Sequence, residues 1–544
     1  MAHLIIGHTT STTSKIWTRV TRPGKWWLAV SAQPFKGKIE QLAKKALDTF
    51  LAEQNIECVF LKDHDFKEED GLTAVFDVNG LAPHGTYYVA LVASETFADV
   101  PAHARVLAGA GSSDWFRTMK ENMDSCTFGF YSCNDFFTTG KNLWPEFHKD
   151  LTRNDARFVI GGGDQIYSDS HKDGESVEKW LKANLQSMYD EYVLSGVFDK
   201  KKIVAKLLPE YRRMYRRYWE DKDLRNVYSG FPQYMIWDDH EICDGWGSYT
   251  DFGKKELWNG ILIEGNDADF QGKIMDALFE AAANVYNEFQ HSHNPDGKID
   301  TKELEKCRWD YSFSHGKASF FVFDMRGYKN VVNTAGFRTL GCEQRERFKK
   351  WLKDSEKSKV LFIVSPVPFV HWNERVANIA DVSVMGYSSR DDFRDEWGHE
   401  TNMVERNWLL NLIMRASASR KQKVVILSGD VHSYSIYKIE GKKFKDHTGE
   451  HDKSYIGACV YNLTASGISR EPAPTIMFPA LCDSTDNIRG FWGTNLIKEH
   501  AMVNRNNYAL LHVDTSGEDV NVKAEIRYYH NKKKEMQTAE TVIK

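Results

Sequence analysis

The sequence predicts an α/β (α+β) protein: an N-terminal antiparallel β-sandwich, followed by a larger domain in which short buried strands alternate with long helices. Three observations carry that expectation. Up to about residue 119, short β-like runs are separated by glycine and proline. From about residue 125, compact apolar runs alternate with amphipathic stretches, the pattern of α/β proteins. Three of those runs stop on acids and histidine: 158–163 on Asp164, 234–237 on Asp238-Asp239-His240-Glu241, and 424–429 on Asp430 and His432. Open α/β sheets carry their ligand sites just past the carboxyl ends of such strands. Three ends bearing Asp, Tyr and His predict one metal site gathered from distant parts of the chain, as in a metal-dependent hydrolase.

The elements follow in order. Runs 15–20 and 26–30 flank Pro23-Gly24, and run 74–78 leads through a Gly/Pro turn at 80–86 into run 87–92. Short strands with such turns suit a small sandwich, of immunoglobulin or fibronectin type, over residues 1–119. Small, polar residues 108–114 read as its exit loop. In the second domain, 120–544, amphipathic helices are expected over 177–194 and 277–290, with closing strands at 508–513 and 520–529. Lys532-Lys533-Lys534 reads as a solvated charge run.

A chain of 544 residues has room for one large domain and a smaller one. With 42% hydrophobic, 13% aromatic and 27% charged residues, bulk disorder is excluded. A net charge of −5 argues against a broad nucleic-acid footprint. It leaves a small anionic substrate open, because a metal site supplies its own positive charge. The eight cysteines lie singly, without C-x-x-C spacing, so free buried thiols in a reducing compartment are expected rather than a zinc knuckle or redox dithiol. The start has no basic, apolar leader, and no run reaches the ~20 apolar residues of a membrane span. A cytoplasmic protein is therefore expected.

Asp164 is the pivot, since a carboxylate at a strand-terminal Gly-Gly-Asp turn can bridge two cations or, more simply, cap a helix. Tyr167 can turn back to the same point, and a phenolate suits a ferric ion. Three acids and a histidine at 238–241 would repel one another without a cation. Consecutive side chains diverge, so Asp239 is chosen as metal ligand and His240 as a substrate-facing acid. Asp430 and His432 can reach one cluster from either side of a tight turn that Gly429 permits. Cys133 ends a fourth strand, as an iron-binding thiolate or as a buried structural cysteine.

The series Ser132-Cys133-Asn134, Gly163-Asp164-Gln165-Ile166-Tyr167, Trp237-Asp238-Asp239-His240-Glu241 and Gly429-Asp430-Val431-His432 resembles the PhoD-type alkaline phosphatases. That family belongs to the calcineurin-like metallophosphoesterases and is related to purple acid phosphatases. Secondary matches are Phe323-Asp324-Met325-Arg326, Leu340-Gly341-Cys342-Glu343-Gln344 and the stretch from Asp391 to Trp397. Ile16-Trp17-Thr18-Arg19 and Gly80-Leu81-Ala82-Pro83 are similar to the family's leading sandwich.

The resemblance implies an αββα metallophosphoesterase domain. It implies Fe3+ held by Cys133, Asp164, Tyr167 and His432, with Ca2+ held by Asp164, Asp239 and Asp430. Asp430 stands where related two-metal phosphatases carry a histidine, which removes a nitrogen ligand and favours calcium over zinc. The implied reaction is hydrolysis of a phosphate monoester by a metal-bridging hydroxide, with His240 assisting the leaving group. Arg326 is expected to clamp the phosphate or to pair with Asp324. The rivals are a phosphodiesterase or phospholipase D-like enzyme acting on nucleotides or phospholipid head groups, and a catalytically lapsed binding module. Gln165 and Ser168 depart from the Tyr and Glu usual in secreted members, suggesting an intracellular branch with its own substrate. A half EF-hand pattern at 292–303 is read as a polar turn, because Pro295 interrupts it.

Overall fold

The computed structural model describes residues 3–35, 57–93, 115–170, 172–248, 268–329, 339–371, 394–445, 452–472 and 488–544. The N-terminal segment builds two antiparallel sheets. One has the order His3–Thr9, Thr13–Arg19, Thr73–Asn79; the other Phe60–Phe66, Gly24–Ser31, Thr86–Ala93, Trp115–Arg117. Apolar residues from both, including Ile6, Ile16, Leu28, Phe76 and Val89, fill a common core. Trp17, the neighbour of Ile16, points the other way. Its indole N–H donates to the Glu288 carbonyl at 2.7 Å and its ring meets Trp219 edge-on at 5.4 Å. Period-2 alternation thus fastens this sheet to the rest of the chain.

Past residue 119 the fold is mixed α/β. A six-stranded sheet has the order Gln233–Ile236, Phe158–Gly162, Ser125–Tyr131, Asn507–Asp514, Asn521–His530, Glu535–Ile543, its first three strands parallel. A seven-stranded sheet runs Tyr311–His315, Ala318–Val322, Val360–Val364, Lys423–Ser428, Cys459–Ala465, Tyr434–Gly441, Thr494–Val503, parallel through its middle four. Residues 360–364 read as one apolar block because both faces are buried. Val360, Phe362 and Val364 enter a core shared with the first sheet, where Phe362 meets Phe128 at 5.1 Å. Leu361 and Ile363 enter a second core with helices Gly341–Asp354 and Met403–Arg420. Helices Trp144–Arg153, Val177–Ser195, Lys200–Tyr218 and Ala268–Phe289 pack against the first sheet.

Several expectations shift. The helix expected over 277–290 begins at Ala268, and three strands close the chain where two were read. The third, Glu535–Ile543, is an edge strand with alternating exposure, so it offers no continuous apolar run. Residues 108–114 and 391–393 lie outside the described residues. The seven described cysteines are free, but only Cys133 and Cys243 are buried. The half EF-hand is a structural turn: the Asn294 amide oxygen accepts from the Met235 N–H at 3.0 Å and its NH2 donates to the Met235 carbonyl at 2.7 Å. Lys532–Lys534 sit on an exposed turn. Among the described residues no helix is long and apolar enough to cross a membrane.

Candidate metal centre

Four strand ends converge. Ser125–Tyr131, Phe158–Gly162 and Gln233–Ile236 deliver Cys133, Asp164 and Asp238–His240 from one sheet, and Lys423–Ser428 delivers Asp430 and His432 from the other. Backbone bonds tie the ends together: Cys133 N–H donates to Gly163 at 3.2 Å and Asn134 N–H to Asp164 at 2.8 Å. Cys133, Asp164, Asp430 and His432 all have left-handed backbone, with φ of 56°, 56°, 64° and 49°. That conformation costs a non-glycine residue about 1–2 kcal/mol. It persists where the surroundings over-determine it, commonly at functional sites.

Three groups of donors share Asp164: two leave His240 aside, and the third is Asp164, Asp239 and His240. In the first, Cys133 Sγ lies 3.3 Å from Asp164 Oδ2, and the Tyr167 hydroxyl donates to the same oxygen at 3.0 Å. The hydroxyl also lies 3.1 Å from His432 Nε2. In the second, Asp164, Asp238, Asp239 and Asp430 each bring an oxygen within 4.8 Å of the others. Asp164 Oδ1, Asp238 Oδ2 and Asp239 Oδ1 are buried without a hydrogen-bond partner. Buried carboxylates in this state call for cations, so the donors fit metal ions. The first group mixes sulfur, oxygen and nitrogen; the second is all carboxylate.

The electrostatics agree. Burial, reinforced by neighbouring acids, pushes the Asp164 and Asp430 carboxyls well above the usual range. Burial lifts Asp238 to about 6 despite Arg326. It would lift Asp239 too, but Arg326 and His240 hold that group at about 2. Burial, then Asp164, raises the Cys133 thiol and the Tyr167 phenol. Burial lowers His432, leaving a neutral imidazole. His240 runs the opposite way, because Asp169, Asp239 and Asp164 outweigh its burial and hold it protonated. Its Nδ1 lies 2.8 Å from Asp169 Oδ1.

The profile of PhoD-like phosphatases matches residues 128–473, a span that contains every one of these groups. The chain belongs to the PhoD-like phosphatase family. It is 24% identical over 404 residues to an uncharacterized protein of Saccharomyces cerevisiae, covering 64% of this chain and 57% of that one. It is 22% identical over 361 residues to alkaline phosphatase D of Bacillus subtilis, covering 66% of this chain and 52% of the relative. The chain thus spans little more than half the length of the curated relatives it matches. A solved structure of PhoD superposes with a TM-score of 0.61 at 17% identity, covering 99% of this chain and 89% of that one, a likeness of fold.

Further groups shape this PhoD-like centre. Asp238 joins Asp239 because Asp238 is extended (φ −126°, ψ −158°) while Asp239 opens a 3-10 turn, so consecutive side chains converge. Glu241 is fully buried and accepts four N–H groups: Asp164 at 3.1 Å, Gln165 at 2.7 Å, Asp238 at 2.9 Å and the Gln290 side chain at 3.0 Å. It clips two strand ends together. Gln165, the departure from secreted members, donates to the Ile236 carbonyl at 2.8 Å and joins the same clip. Arg326 is fully buried. Its guanidinium bonds Asp238 and lies 2.7 Å from Asp395, whereas only its backbone N–H reaches Asp324. Arg470 spans from Asp135, at 2.6 Å, to the Tyr167 ring face, at 4.9 Å. Its Nε has no partner. Arg470 sits in no pattern that spacing alone could distinguish from an ordinary surface charge.

Proposed function

We propose that this chain is a metal-dependent phosphomonoesterase of cytoplasmic location, built as an N-terminal β-sandwich over 1–119 and an αββα domain over 120–544. The observation that carries the reading is the shared Asp164, flanked by a Cys133–Tyr167–His432 donor set on one side and by buried carboxylates with unbonded oxygens on the other. Thiolate, phenolate and imidazole suit Fe3+, and the carboxylates of Asp164, Asp238, Asp239 and Asp430 suit Ca2+. Bound there, the cations would supply an acidified water and neutralise phosphate charge.

The chain's own residues do the remainder. Asp164 holds the two donor groups in register. Glu241 fixes the backbone that presents Asp164 and Asp238. Protonated His240, oriented by Asp169, serves as the acid that gives its proton to the departing alkoxide. Arg470 offers a guanidinium beside Tyr167 for a phosphate oxygen. Arg326 acts as a positioning residue through Asp238 and Asp239.

The test is initial rates on p-nitrophenyl phosphate and its bis-ester, using protein purified without chelators, with calcium then added or removed. Calcium-dependent monoester release well above the diester is expected. Diester preference would replace the reading by a phosphodiesterase. No rate on either ester after iron and calcium reconstitution would replace it by a binding module.

A further inference from the structure

We propose that a cavity at the opposite end of the first sheet from the metal centre is a binding site for a small oxyanion, with Arg157 as its anchor. Arg157 immediately precedes Phe158–Gly162, at that strand's amino end, and its N–H donates to the Thr127 carbonyl at 2.8 Å. At about 3.3 Å per strand residue, it stands roughly 20 Å from Asp164, so an anion there makes no contact with the metal ligands.

The argument starts from an uncompensated charge. Arg157 is 7% exposed, and its one side-chain hydrogen bond runs from Nη2 to the Thr118 carbonyl at 2.7 Å. Its Nε has no partner, and it forms no ion pair among the described residues. A buried guanidinium is ordinarily matched by a carboxylate. The one acid beside it, Asp155, is engaged by Arg117 at 3.0 Å.

The surroundings are positive. Arg157 lines a cavity of about 390 Å³ together with His84, Lys120, Thr127, Asn154 and Lys523. At exposed His84, slight desolvation and then Arg157, Lys120 and Arg117 disfavour protonation, against the pull of Asp155. Of the other charged lining groups, Lys523 is drawn off by Glu525 and Glu540, and Asp514 accepts from Ser516. An arginine and a lysine lining one cavity match the charge of a phosphate or carboxylate group. His84 belongs to the N-terminal segment, and Lys120 and Arg157 to the chain that follows it, so a bound anion would stitch the two together.

Inorganic phosphate and, in parallel, acetate are titrated into the metal-loaded full chain by calorimetry, with melting temperature as a second readout. For at least one of them, wild type should show a binding event that Arg157→Gln weakens by about tenfold or more and Lys120→Ala by roughly threefold. The anion-dependent rise in melting temperature should shrink in step. Turnover of p-nitrophenyl phosphate, and its competitive inhibition by phosphate, should stay unchanged in both variants. Whichever anion shows the Arg157-dependent event identifies the ligand class. Identical isotherms and melting shifts in wild type and variants would overturn the proposal, placing all anion binding at the metal centre. Lys120 is exposed, so Lys120→Ala keeps the test decisive if Arg157→Gln fails to fold.

Discussion

Asp164 stands in every donor group of the centre, and the chemistry turns on that shared membership. Asp164→Asn removes one negative charge and no apolar contact. Turnover should fall by more than about 100-fold, the upper range for losing a mere outer-shell partner, and bound metal should fall with it. The melting temperature of the chelated variant should not drop below that of chelated wild type, since one buried, repelled carboxylate is gone. Near-normal turnover with full metal content would sink the shared-ligand reading. Glu241 predicts the reverse balance. In Glu241→Gln an amide NH2 replaces one acceptor oxygen and faces backbone donors, leaving buried groups unsatisfied at about 1–3 kcal/mol. Stability should fall in chelated protein as well as loaded protein. Metal affinity should drop by about 10–100-fold, as expected for a second-layer residue. Calorimetric metal titration and denaturant melts read both effects.

At the scale of elements, the strand ends matter more than the strands. Gly163 has φ of 113°, and a Cβ there would lie 2.7 Å from Asp238 Cβ. Gly163→Ala therefore strains the turn by about 1–2 kcal/mol and pushes two ligand segments apart. Melting temperature and turnover should fall together, and an unchanged metal content would count against the coupling. The strands themselves were legible because burial on both faces turns 158–162, 234–236 and 424–428 into uninterrupted apolar text that breaks on a charge. Cys133, Asp164, Tyr167, Asp239, Asp430 and His432 are readable as candidates for the same reason: each sits within a few residues of such a break. Asp238 was passed over because side-chain alternation was assumed across 238–241, where a 3-10 turn replaces it. Glu241, Asp169 and Arg470 act through partners far away in sequence, and a single chain carries no mark of that pairing. Arg326 was visible, but its carboxylate partners, Asp238 and Asp395, were not.

For the whole molecule, pH sets two populations of buried groups against each other. Burial holds His291, His293, His315 and His371 near 3. Unfolded, they titrate at about 6.5. Below that pH the unfolded chain takes the protons, so each histidine removes up to about 1.4 kcal/mol of stability per pH unit. The raised carboxyls of the centre, Asp238 at about 6 and Glu241 at about 7 among them, act oppositely in chelated protein. There the folded chain binds protons that the unfolded chain still lacks, so acidification stabilises. Bound cations keep the Asp238 ligand group ionised and suppress much of that offset. Between pH 6.5 and 5, stability should therefore fall more steeply in metal-loaded protein than in chelated protein, as followed by denaturant midpoints; parallel slopes would refute this. The path of the chain through its sheets has a further consequence, for biosynthesis. His432 closes a donor set that Cys133 opens, and Asn507–Asp514 must pair with Ser125–Tyr131 before the first sheet is whole. A nascent chain thus presents only fragments of the centre until His432 has been made, so metal ions are acquired late, by strands that have already begun to pair.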